Sequence, residues 1–157
     1  MPPHPTYDFF VAGRWRDHRN VQLIVDTLRA HGRTVYSFVD RAYEDPDIAA
    51  LLTGDPEHFM TASEQLTQGD PRIRRIFDRD MFAERAAASF LLVLPAGIAG
   101  HIEAGVAYGL GKPCYALGAV EKTETLYCVF ERIFPDLAAL DRWLRAAQDL
   151  GPRDGTS

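Results

Sequence analysis

The residues best equipped for chemistry lie in LPAGIAGHIEAG, residues 94–105. An apolar run ends there, small and turn-prone residues follow, and His101 and Glu103 then stand at the expected start of a helix. A carboxylate in that place is either a charge that suits the positive end of the helix dipole or a catalytic group aimed across the edge of a sheet. Gly97, Ala99 and Gly100 remove side chains where the backbone turns, which lets a ligand approach the amides at the helix start. Ala104, Gly105, Ala107 and Gly109 then make a slim helix able to lie close to a sheet and hold the carboxylate rigidly.

Two other readings of this region fail on residue type. His101 and Glu103 followed by Pro113 and Cys114 match part of the zinc deaminase signature, but Leu117 stands where the third metal ligand is required, so no metal is expected. His101 then reads as a helix-start polar residue or a substrate contact. The GLGKP run at 109–113 closes a helix instead of opening one, and Pro113 replaces the magnesium-binding Ser or Thr of a P-loop. Gly111 and Lys112 suit a helix C-terminus.

The elements that must position these residues alternate. Tyr7 to Ala12 is an apolar strand ended by Gly13; Asp17 offers an N-cap, and Val21, Ile24, Val25 and Leu28 follow at helical spacing up to Gly32. Thr34 to Val39 reads as a second strand, parallel to the first because a helical crossover separates them. Residues 40–71 turn polar and read as a lid-like insertion with one or two short helices. Ile73 to Ala88 resumes a helix with Ile73, Ile76, Phe77, Met81 and Phe82 on one face, then runs into the strand Phe90 to Leu94, apolar throughout as a central parallel strand should be. A helix from Gly100 to Gly111, a strand from Pro113 to Leu117 and an amphipathic helix from Leu137 to Leu150 complete the series, with 151–157 as a flexible tail. The expected architecture is one α/β domain over residues 1–150: an open, doubly wound, mainly parallel sheet of four to five strands with helices on both faces. Ligands of such sheets bind beyond the carboxyl ends of the strands, where both the loop GRWRDHRN and the turn before Glu103 fall.

Composition narrows the partners. A length of 157 residues suits a single core, and a net charge of −5 with interspersed signs offers no basic face for a nucleic-acid polymer. The N-terminus lacks the basic and apolar regions of a signal peptide and no run approaches a membrane span, so a cytoplasmic protein without membrane contact is expected. Cys114 and Cys128 each sit in an apolar segment without CxxC spacing and read as buried free thiols.

Three local motifs on this ordering resemble the nucleoside 2-deoxyribosyltransferase superfamily, which includes deoxyribonucleoside 5′-monophosphate N-glycosidases. AGRWRDHRN at 12–20 is similar to the family's small-Gly-aromatic segment after strand one. Asp80 lies nine residues ahead of Ser89, where strand three begins, as a family Asp does. AGHIEAGVAYGLGKP is similar to the family's Gly-rich turn, Glu, Gly and GKP. The resemblance covers roughly residues 7–118 and implies a flavodoxin-like fold, a homo-oligomer, no cofactor, and a nucleoside or nucleotide as small-molecule partner. It implies Glu103 as the nucleophile that attacks the anomeric carbon, with Asp80 and His101 as candidates to deliver or position the proton the departing base needs. Phe9, Gly13, Arg14, Trp15, Arg16, Gly97 and Gly100 fall on its substrate-binding positions. Two of these depart from the pattern: Gly97 stands where the transferases carry Asp and the nucleotide hydrolases Ser, and Phe9 where the family often has Tyr. Arg14, Arg16 and Arg19 form either a clamp for a 5′-phosphate or a charged surface loop. A nucleotide-binding or signalling module without catalysis is the alternative, which fold alone does not separate from an enzyme.

Overall fold

The computed structural model describes residues 5–41, 46–50, 61, 62 and 64–149. The tail at 151–157 and much of the 40–71 insertion lie outside the described residues. The strands are β1 (Tyr7–Ala12), β2 (Val35–Ser37), β3 (Ala87–Val93), β4 (Cys114–Leu117) and β5 (Arg132–Phe134); the helices are α1 (His18–Ala30), α2 (Phe38–Arg41), α3 (Pro46–Ala49), α4 (Pro71–Ala86), α5 (Ile98–Gly109) and α6 (Leu137–Asp149). All strand pairs are parallel and the order is β2-β1-β3-β4-β5, the flavodoxin-like order. The chain thus forms the expected α/β sheet.

Strand alternation divides the core. Phe9 and Val11 of β1 face the side covered by α1 and α6, where Val21, Ile24, Val25, Leu28, Leu140 and Leu144 are fully buried. Phe10 and Ala12 face the other side, with Phe90, Leu92, Ala104 and Ala107 under α4 and α5. There Phe10 stacks between Tyr36 and Phe90 at ring-centroid distances of 5.2 and 5.8 Å. The first and last helices are also tied by polar contacts. His31 Nε2 lies 2.7 Å from Asp141 Oδ1, and the Gln148 amide donates to the His31 carbonyl at 2.9 Å.

Several boundaries differ from the sequence reading for local reasons. The second strand stops at Ser37, because Phe38 already begins α2. Asp17 holds the N-cap position of α1 without capping it, since its carboxylate accepts from Arg14 Nε at 3.0 Å instead. Asp70 does cap α4, accepting from the Arg72 amide, and the Arg72 guanidinium holds its carboxyl down at about 2. β3 begins at Ala87, inside the stretch expected to be helical. β5 was not anticipated, being three residues at the sheet edge with only Phe134 buried. Cys114 is buried, but Cys128 is exposed.

The largest correction concerns α4. Its expected apolar face is not the buried one: Ile73, Ile76 and Met81 are half-buried, Phe77 is 52% and Phe82 74% exposed, and Ala83 and Glu84 are the buried residues. The helix turns its acidic side inward.

α5 lies close on the sheet at Gly100, where a Cβ would stand 2.8 Å from Leu92 Cδ1 and 3.5 Å from the Ala96 methyl. Leu92 is fully buried, so its methyl has nowhere to move without disturbing its neighbours. Gly100→Ala is therefore expected to destabilise the fold by about 1–3 kcal/mol, read from the denaturant midpoint at unchanged m-value. An unchanged midpoint would mean that α5 can lift without penalty.

Candidate active site

The strand order reverses between β1 and β3, and the crevice beyond their carboxyl ends is a pocket of about 480 Å³ counted with its open mouth. Each wall comes from a different element. β1 and its loop supply Phe10, Ala12, Gly13 and Trp15; Phe38 follows β2; Asp80 projects from α4, and Gly100 and Glu103 from α5. Trp15 meets Phe38 edge-on at 5.0 Å, which gives the pocket an aromatic wall. Helix-to-sheet closeness at Gly100 brings Glu103, one turn into α5, to the pocket floor.

The two carboxyls have distinct surroundings. Burial pushes Glu103 up to about 8, with the charges of Asp80 and Glu84 adding to it. Burial also raises Asp80, but the Tyr36 hydroxyl donates to its Oδ1 at 2.7 Å and Arg79 Nε stands 3.5 Å from the same oxygen, both favouring the anion. Burial and the Asp80 charge raise Tyr36 in turn, so it stays a donor. Behind them Glu84, fully buried, is raised to about 7 by burial, against the opposing charge of Lys112. Among the described residues no group of three side chains is placed to hold a metal ion.

Of the residues expected at the site, Glu103, Asp80, Gly13, Trp15 and Gly100 meet in this pocket. The others do not. Phe9 lies in the opposite core, because it is one residue out of phase with Phe10, which does line the pocket. Arg14 is paired with Asp17, and Arg16 and Arg19 are exposed; none of the three lines the pocket. Gly97 is the N-cap of α5, its carbonyl accepting from His101 Nδ1 at 2.8 Å. That bond places the ring hydrogen on Nδ1, so in the neutral ring Nε2 accepts from the Tyr127 hydroxyl at 2.8 Å. His101 thus lies in a separate cleft with Lys122, Glu124 and Tyr127, away from Glu103. Sequence reasoning missed Phe10, Tyr36, Phe38 and Glu84. Only Glu84 carried a legible signal, an acid one helical turn from Asp80.

These acids leave a mark on stability. Glu84 and Glu103 hold their protons to about 7 and about 8 in the fold, against 4.5 ordinarily. Between those limits the fold binds more protons than the unfolded chain, so stability falls as pH rises from about 4.5 to 8. The melting temperature is expected to be higher at pH 5.5 than at pH 8.5 at constant ionic strength, by roughly 5 °C. An equal or reversed pair of melts would contradict the burial of these acids.

No family model matches the sequence, and no curated protein matches it. A solved structure of a 2-deoxyribosyltransferase from the psychrotolerant bacterium Bacillus psychrosaccharolyticus does share the fold. It superposes with a TM-score of 0.63 at 16% identity, over 85% of this chain and 89% of that chain. No helix among the described residues is long and apolar enough to cross a membrane.

Proposed function

We propose that this chain is a nucleoside 2-deoxyribosyltransferase-like enzyme that cleaves the N-glycosidic bond of a nucleoside or nucleoside 5′-monophosphate. The observation that carries the reading is the convergence of Glu103 and Asp80 on one aromatic-walled pocket at the reversal point of the sheet. The likeness of the fold to a 2-deoxyribosyltransferase agrees with it.

Glu103 attacks the anomeric carbon, forming a glycosyl ester as the carbon–nitrogen bond to the base breaks. The base leaves with a proton from Asp80. Water or a second base then attacks the anomeric carbon, the bond from that carbon to the Glu103 oxygen breaks, and Asp80 takes up the incoming proton. The working form of the pair holds one proton. In the empty pocket burial raises both carboxyls, and at Asp80 the Tyr36 hydroxyl and Arg79 oppose it by favouring the anion. Positive charge growing on the sugar favours the Glu103 anion and leaves the proton to serve on Asp80. The rate constant kcat/KM should accordingly fall as pH rises past about 8, where the pair loses its last proton.

Incubation with deoxynucleosides, ribonucleosides and their 5′-monophosphates, read by chromatography, tests the reading. Free base is expected from at least one of them; none from any would overturn it.

The protein is a homo-oligomer in this reading. Ile98 and Ile102, one turn apart on the outer face of α5, are 82% and 62% exposed, a surface suited to a second copy. Sedimentation at micromolar concentration is expected to give a multiple of the 17.6 kDa chain mass. Ile102→Glu should lower that mass, and a wild-type monomer would remove the idea.

A further inference from the structure

Tyr36 carries a hydroxyl that packing alone does not call for. The residue is 3% exposed; its ring stacks on Phe10 at 5.2 Å and 20° and meets Tyr7 edge-on at 5.5 Å. Phe10 stacks in turn on Phe90, so phenylalanine already serves twice in the same row. Phe10 and Tyr36 are register partners on β1 and β2, and Phe10 is a wall of the pocket. The stack thereby holds the hydroxyl as firmly as the wall itself. A buried hydroxyl needs a partner, and this one donates to Asp80 Oδ1 at 2.7 Å, 44 residues along the chain. Arg79 Nε stands 3.5 Å from the same oxygen. A proton on Oδ1 would meet the hydroxyl hydrogen and a cation, which leaves Oδ2 as the place for it.

We propose that Tyr36 is a positioning residue that keeps Asp80 Oδ1 engaged, so that Oδ2 is the oxygen that gives the proton to the departing base and takes one back. This deepens the glycosidic reading and rests on it for its catalytic consequence. The proton on Oδ2 passes to the base nitrogen as the carbon–nitrogen bond breaks. In the second step the attacking water or base returns a proton to the same oxygen. Oδ1 accepts from Tyr36 in both states of the carboxyl, so the hydroxyl bond lasts through the cycle and the carboxyl does not turn. Burial and the Asp80 charge raise the phenol, which therefore remains a donor throughout. The charged groups that face Asp80 are Arg79 and Glu84 of α4 and Glu103 of α5. Tyr36 is the neutral donor among them, and the one delivered from β2.

The test compares Tyr36→Phe, Asp80→Asn and the double variant with the wild type. Phenylalanine keeps the ring row, so the fold is retained and a thermal melt checks it. The first readout is base release. Tyr36→Phe should lower kcat by about 10-fold with KM little changed. The loss should shrink on an electron-poor leaving group, which needs the proton less. In the Asp80→Asn background, removing the hydroxyl should cost nothing further, because the proton it positions is gone. The second readout is the carboxyl carbon titration of Asp80 by NMR in protein labelled at aspartate, assigned by loss of the signal in Asp80→Asn. Its midpoint should move to higher pH in Tyr36→Phe, since the anion loses a donor. Equal losses on both leaving groups, an undiminished loss in the double variant, or an unmoved midpoint would overturn the proposal and leave Tyr36 a packing residue. If the wild type releases no base, the glycosidic reading fails, and the NMR titration still decides whether Tyr36 holds Asp80.

Discussion

Replacing Glu103 by Gln is expected to lower base release by several orders of magnitude, roughly 10³-fold or more, as loss of a nucleophile does elsewhere. The amide keeps the size and most of the polar contacts of the side chain. It lacks the charge that both closes the ester bond and steadies the oxocarbenium-like sugar. Folding should be spared. Glu103 sits in a place that disfavours its anion, so the neutral substitute has no ionisation to suppress, and above about pH 8 the variant should melt higher than the wild type. Kinetics and melts on one preparation would separate the two effects. Base release at the wild-type rate would sink the covalent mechanism and reduce the motif to a helix start beside a binding pocket.

Asp80→Asn is expected to lose roughly 10²–10⁴-fold, the usual contribution of a positioned acid. The loss should depend on the leaving group. An electron-poor heterocycle departs with less need of a proton, so the variant should recover much of its rate on such a substrate. Glu103→Gln should recover none. Equal losses of Asp80→Asn on both classes of substrate would show that Asp80 only holds the base. Tyr36→Phe should fall between the variant and the wild type, since it removes one donor from Asp80 Oδ1 and leaves Arg79 beside that oxygen.

The sheet and the location of the pocket were legible because they follow from patterns that act over several residues. Val21, Ile24, Val25 and Leu28 announce α1 by their spacing, and FLLVL announces a strand buried on both faces. The turn before Glu103 was read too long: Gly100 belongs to α5, and its missing Cβ lets the helix touch the sheet at Leu92. Phase was harder. Phe9 and Phe10 are chemically identical neighbours, and only the packing of helices on each side decides which one faces the pocket. Tyr36 reads as an ordinary strand aromatic, because its partner Asp80 is 44 residues away and belongs to another element. The face of α4 was misread for a physical reason: periodicity marks the apolar side of a helix, and burial normally follows it. Here Asp80 and Glu84 take the inner side, which leaves Phe77 and Phe82 outside. The arginine loop stayed open between a clamp and a charged surface, because charge spacing does not show that Arg14 takes Asp17, three residues on, as its partner.

The contact between His31 and Asp141 joins residues 110 positions apart, and that between Gln148 and His31 joins residues 117 apart. Synthesis on the ribosome therefore delivers the two halves of one seam far apart in time. β1, α1 and β2 emerge first and can pair locally, but the groove between α1 and the sheet stays uncapped until Leu140 and Leu144 arrive. A nascent chain stalled before residue 137 would carry an apolar seam open to proteases and chaperones, whatever the state of its pocket. Closure of this seam thus waits for α6, which packs over α1 long after α1 has been made.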